Sequence, residues 1–103
     1  MDLSLAERGT HQGLPNNPDA EANVLSAMLL SNEVVEEALT ELLPDDFYRP
    51  MNKALFETMH DMYDRSLPID SITLIDYLSS KNKLQEVGGE AYILELMGQT
   101  LSL

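Results

Sequence analysis

The chain has no cysteine and no tryptophan. Without thiols it can form no disulfide, hold no thiolate-bound metal and use no cysteine nucleophile. That composition suits a reducing compartment. No run of about 18 apolar residues is present, the length at which a helix begins to cross a bilayer. Asp2 and Glu7 stand near the amino terminus without the basic-then-apolar order of a secretory signal. Cations are scarce as well, six Lys and Arg against eighteen Asp and Glu, for a formal net charge of −12. A surface that grips nucleic acid does so by counterion release through clustered cations. Here Arg49, Lys53, Arg65, Lys81 and Lys83 are dispersed among carboxylates. Direct nucleic-acid binding is therefore not expected; an acidic surface gives solubility or meets a basic protein partner.

What the chain does have is apolar residues at helical spacing. From Pro50 to Arg65, at about 100° per residue, Met51, Ala54, Leu55, Phe56, Thr58, Met59, Met62 and Tyr63 cover an arc of roughly 200°. A helix resting on one surface needs an arc of only about 100°, so this one is expected to be central and covered from two directions. Pro50 suits the first helical position, and Pro68 stops the helix before it. The segment from Ala20 to Leu30 is apolar almost all round, interrupted by Glu21, Asn23 and Ser26. Asn17 is its expected N-cap, with Asp19 and Glu21 in the first turn, where the helix dipole favours anions. A second helix, Glu33 to about Leu42, is capped by Asn32 and turns Glu33, Glu36, Glu37 and Glu41 outward. Pro44 to Tyr48 is a connector pinned by Phe47. Asp70 caps a helix over Ser71 to Ser80, in which Ile72, Leu74, Ile75 and Leu78 span about 160°. Gly88 is expected in a left-handed turn. The last helix runs from about Gly89 to Met97, burying Ala91, Tyr92, Ile93, Leu96 and Leu94, and ends at Gly98.

No stretch alternates with period two, so the fold class is all-α, a compact orthogonal bundle of about five to six helices. With 103 residues it forms one domain that buries roughly 60–70% of its unfolded surface. Residues 1–14 read as a mobile amino-terminal arm and residues 15–103 as the helical domain.

The residues that could carry chemistry do not assemble into a known apparatus. Gly88-Gly89 is followed by Glu90, and no G-x-x-x-x-G-K-[ST] phosphate loop occurs. His11 falls in the arm, and His60 has Asp64 four residues on, the spacing of a surface ion pair. The acid pairs Glu33/Glu37, Glu37/Glu41 and Asp61/Asp64 could offer oxygens to a hard cation, but they lack a glycine-bearing loop or histidine partners and read as solvated faces. No catalytic, cofactor-binding or metal residue is assigned. The candidate protein-contact residues are Phe47, Tyr48, Met51 and Met62, on the connector and the central helix.

Four motifs in order carry a resemblance. Pro15-Asn16-Asn17-Pro18-Asp19-Ala20-Glu21 with Val24-Leu25, then Asp46-Phe47-Tyr48-Arg49-Pro50 with Leu55-Phe56, then Pro68-Ile69-Asp70 with Thr73-Leu74, then Val87-Gly88-Gly89 with Ala91-Tyr92 and Leu94 resemble the amino-terminal domain of DnaB-type replicative helicases. Two positions depart from the family's pattern: Ser26 stands where Gly is frequent, and Asn52 where His is frequent. Asn52 falls within the apolar arc, so it is expected to keep a buried hydrogen-bonding role.

The resemblance implies a globular head that lacks both the helical hairpin completing the family's collar and the ATP-driven, RecA-like motor. It implies no enzyme activity and no cofactor in this chain; ATP and magnesium would belong to the motor. The partners it implies are the chain itself, as dimers within a hexameric ring, and primase, in the cytoplasm at the replication fork. Alone, the head is expected to be a monomer or weak dimer. The competing readings are a free-standing helical adaptor and a metal-dependent hydrolase built on the acid pairs.

Overall fold

The computed structural model describes residues 17–101. Five α-helices follow one another: α1 (Pro18–Leu30), α2 (Asn32–Glu41), α3 (Pro50–Asp64), α4 (Ser71–Ser80) and α5 (Gly89–Leu101). Short 3-10 turns at Pro44–Asp46 and Gln85–Val87 precede α3 and α5. Among the described residues there is no strand, so the all-α expectation holds. The expected arm at 1–14 lies outside them.

Local chemistry sets most of the boundaries. The Asn17 side-chain oxygen accepts from Asp19 N at 2.9 Å and Ala20 N at 3.4 Å, capping α1, with Pro18 at the first position. Asp70 caps α4 through Thr73 N at 2.8 Å. The cap of α2 is Ser31, one residue earlier than expected. Its hydroxyl accepts from Val34 N at 3.4 Å, and the same extended residue closes α1. A single residue thus separates the two helices. Gly88 and Gly89 lie at φ 95° and 79°. A Cβ on Gly88 would stand 2.9 Å from Tyr92 Cβ and 3.0 Å from Met51 Sδ, so this turn fits only glycine without rearrangement.

The core is built where the apolar arcs meet. Leu55, Phe56, Met59 and Met62 of α3 are fully buried, with Leu25 and Met28 of α1, Leu74 of α4, and Ile93 and Leu96 of α5. Phe47 enters from the connector and its ring packs 4.8 Å from that of Phe56, tilted by 33°. The centre is shared, however. While α3 packs on α1, α4 and both 3-10 turns, α1 itself packs on α2, α3 and α5.

Four residues expected within buried arcs are exposed: Tyr63, in the last turn of α3 where the helix runs out of the core, and three others set aside by their angle on the wheel. Ile72 is 76% exposed because it sits about 160° round the wheel from Leu74, beyond the roughly 100° one contact face can cover. Leu94 is exposed too, about 100° from Ile93, and Ala91, about 160° from Ile93, faces outward. Nor does Gly98 end the last helix, which continues to Leu101. Glycine inside a helix costs about 1 kcal/mol relative to alanine, too little to stop it alone.

Candidate functional site

The strongest polar arrangement is internal. Glu21, on α1, is fully buried. Its Oε2 accepts from Tyr48 N at 2.6 Å, and its Oε1 accepts from Arg49 N at 3.3 Å and from Asn52 Nδ2 at 2.8 Å. Asn52 is also fully buried, and its Oδ1 accepts from the Tyr92 hydroxyl at 2.5 Å. Arg49, the N-cap of α3, makes no side-chain cap, and Pro50 has no N–H to offer. Glu21 therefore caps α3 from another helix, setting a carboxylate against the positive end of the helix dipole. Burial holds the Tyr92 phenol above its ordinary pKa. Asn52 thus has the buried hydrogen-bonding role expected of it. Glu21 does more than its first-turn position suggests.

A second buried contact ties the same helices. Ser26 Oγ donates to the Leu96 carbonyl at 2.6 Å, joining α1 to α5 where a bulkier side chain would hold them apart. Both arrangements are braces. Every partner lies inside the fold, and neither offers a site to a substrate.

The four candidate contact residues divide. Phe47 and Met62 are both buried, Phe47 just before the start of α3 and Met62 in its last turn, so neither is on the surface of the domain. Met51 is half-buried against the Gly88 turn. Tyr48 is 70% exposed, with its backbone N–H held by Glu21. Beside them Lys53 Nζ lies 2.7 Å from Asp45, and that cation holds the Asp45 carboxyl below its ordinary pKa.

Of the titratable residues singled out by sequence, His60, Asp61 and Asp64 have partners at the surface, while His11 lies outside the described residues. His60 and Asp64 lie 3.7 Å apart, both exposed, as a surface pair. Asp61 accepts from the Tyr77 hydroxyl and, at 3.1 Å, from Arg65 Nε. The Tyr77 hydrogen bond first, and then Arg65, holds its carboxyl below the usual range. Among the described residues no group of three or more His, Cys, Asp or Glu is placed to hold a metal ion. No helix among them is long and apolar enough to cross a membrane.

This is a helical domain whose buried polar groups serve its own packing and whose remaining features are surfaces. Comparison with known proteins gives that class a family. Residues 13–103 match the DnaB-like helicase N terminal domain, and the chain belongs to that family. It is 36% identical over 90 residues to a probable replicative DNA helicase of Trieres chinensis, covering 87% of this chain and 20% of that protein. With the replicative DNA helicase DnaB of Buchnera aphidicola (strain APS) it shares 35% identity over 88 residues, 85% of this chain and 19% of the relative. Its fold superposes with a TM-score of 0.77 on the crystal structure of the N-terminal domain of DnaB helicase from Mycobacterium tuberculosis. That match is 34% identical and covers 82% of this chain and 61% of the other. The chain thus spans about one fifth of the length of these curated relatives.

Proposed function

We propose that this chain is the assembly and protein-docking domain of a replicative DNA helicase. In that role it contributes to a collar of paired copies on a hexameric ring and to association with primase, in the cytoplasm at the replication fork. ATP, magnesium and duplex unwinding belong to a motor region outside these 103 residues. The observation that carries the reading is the match over residues 13–103 to the helicase amino-terminal family. The domain's own chemistry supports it, because the buried Glu21, Asn52 and Tyr92 are consumed in bracing the fold. On this reading Tyr48 and the exposed part of Met51 form the contact face, with Phe47 packed on Phe56 below.

The test compares a helicase carrying this domain with the same protein lacking it. Sedimentation should show that deletion weakens hexamer formation, and pull-down with purified primase should lose binding. Hexamers and primase binding that both survive deletion unchanged would overturn the proposal.

A further inference from the structure

At the opposite end of α1 from Glu21, two hollows run together. One, of about 280 Å³, is lined by the α1–α2 corner and the loop before α4. The other, of about 510 Å³, continues it between α2 and the end of α3. They share Asn32, Pro68 and Ile69, so they form one groove. Leu30 and Tyr63 flank it, 45% and 42% exposed. No Lys, Arg or His lines either part; Glu36 lines the second, and Asp70, engaged in capping α4, the first.

The charge at Tyr63 is one-sided. Its hydroxyl donates to Glu36 Oε2 at 3.4 Å. The Glu36 charge foremost, with burial and Asp64 adding to it, pushes the phenol above its ordinary pKa. A neighbouring hollow beside Tyr77 differs. It has Lys81 and Lys83 in its wall, Lys81 sits 5.0 Å over the Tyr77 ring, and Asp61 is taken up by Tyr77 and Arg65. There the charges answer each other; in the groove they do not.

We propose that this groove docks a basic segment of another protein, one that seats a Leu, Ile or Phe side chain against Leu30, Pro68 and Ile69. A Lys or Arg close by in the same segment pairs with Glu36. Charge complementarity selects this occupant: Leu30, Pro68 and Ile69 invite an apolar side chain, and Glu36, with no cation lining the groove and Asp70 already engaged as the cap of α4, rejects acidic segments. The inference goes beyond the collar reading, since the surface is a different one, and either stands if the other falls.

The probes are two synthetic peptides with the same number of lysines, one with leucine and one with serine at the apolar positions. Titrated into the isotope-labelled chain, the leucine peptide should shift amides concentrated at residues 29–36 and 63–70, while the serine peptide gives only small, dispersed shifts. Glu36→Lys should weaken the leucine peptide about tenfold or more, and Glu90→Lys, the same charge change at an exposed position of α5, less than about twofold. Equal binding of the two peptides, or equal weakening by the two variants, would reduce the effect to general attraction to an acidic protein and overturn the proposal. Groove shifts that appear on concentrating the protein without peptide would identify a second copy as the occupant and overturn it as well.

Discussion

The two ends of α1 use the same functional group in opposite ways. Near its start the Glu21 carboxylate is sealed in the core and accepts three hydrogen bonds. Just past its end, on α2, the Glu36 carboxylate is exposed and has one long bond from Tyr63. Roughly 13 Å of helix, at about 1.5 Å per residue, separates Glu21 from Leu30 at the edge of the groove. The difference lies in what surrounds each carboxylate. A carboxylate whose lone pairs are filled by the protein's own donors acts as a brace. One left facing an open, apolar-floored hollow keeps its field for something outside.

The contrast can be broken from the buried end first. Glu21→Ala leaves two backbone N–H groups and the Asn52 amide short of an acceptor. An unsatisfied buried group costs about 1–3 kcal/mol, and because the two backbone donors are only part-buried the three together are expected to cost about 3–5 kcal/mol, toward the low end of their sum. Phe56→Ala, a core truncation of about 3–5 kcal/mol, is the yardstick. Urea denaturation that put the Glu21 variant within 1 kcal/mol of the parent, on the scale of a single net hydrogen bond, would deny the brace. At the open end Glu36→Ala and Glu37→Ala should each change stability by under about 0.5 kcal/mol. A larger loss at Glu36 would mean its Tyr63 contact is structural, which would blur the contrast.

The smallest effect concerns Asp61, whose carboxyl is held down by Tyr77 and then Arg65. A group whose folded pKa is lowered stabilises the fold above its unfolded pKa, and that contribution disappears as pH falls through the folded value. Carboxyl NMR should place the Asp61 midpoint below the ordinary aspartate range, and Tyr77→Phe should raise it. An unmoved midpoint would remove Tyr77 as the cause.

Much of this was readable from residue order alone. Asn17, Pro18, Asp70 and Gly88 are caps and turns decided within a few residues, and each falls where its local chemistry predicts. The burial of Leu55, Phe56 and Met59 follows from the width of the α3 arc. What periodicity alone misses is which part of a wide arc a neighbour covers, hence Ile72 and Leu94. Glu21 did leave a trace. It lies one and two turns before Leu25 and Met28 on the same buried stripe, and a charge in such a stripe must find partners. Those partners, residues 48, 49 and 52, come from a distant part of the chain, so no local pattern names them. The groove is illegible for the same reason, because Leu30 and Pro68 meet only once the helices have packed.

The Glu21 brace also limits how this domain can be rebuilt. Because one side chain of α1 holds the backbone at Tyr48 and Arg49, the connector cannot be transplanted or redesigned as an independent loop. Any replacement for residues 44–50 has to bring its own acceptor or keep a carboxylate at position 21. A change at position 21 must likewise be answered at 52 and 92, so three positions far apart in sequence should vary as one unit.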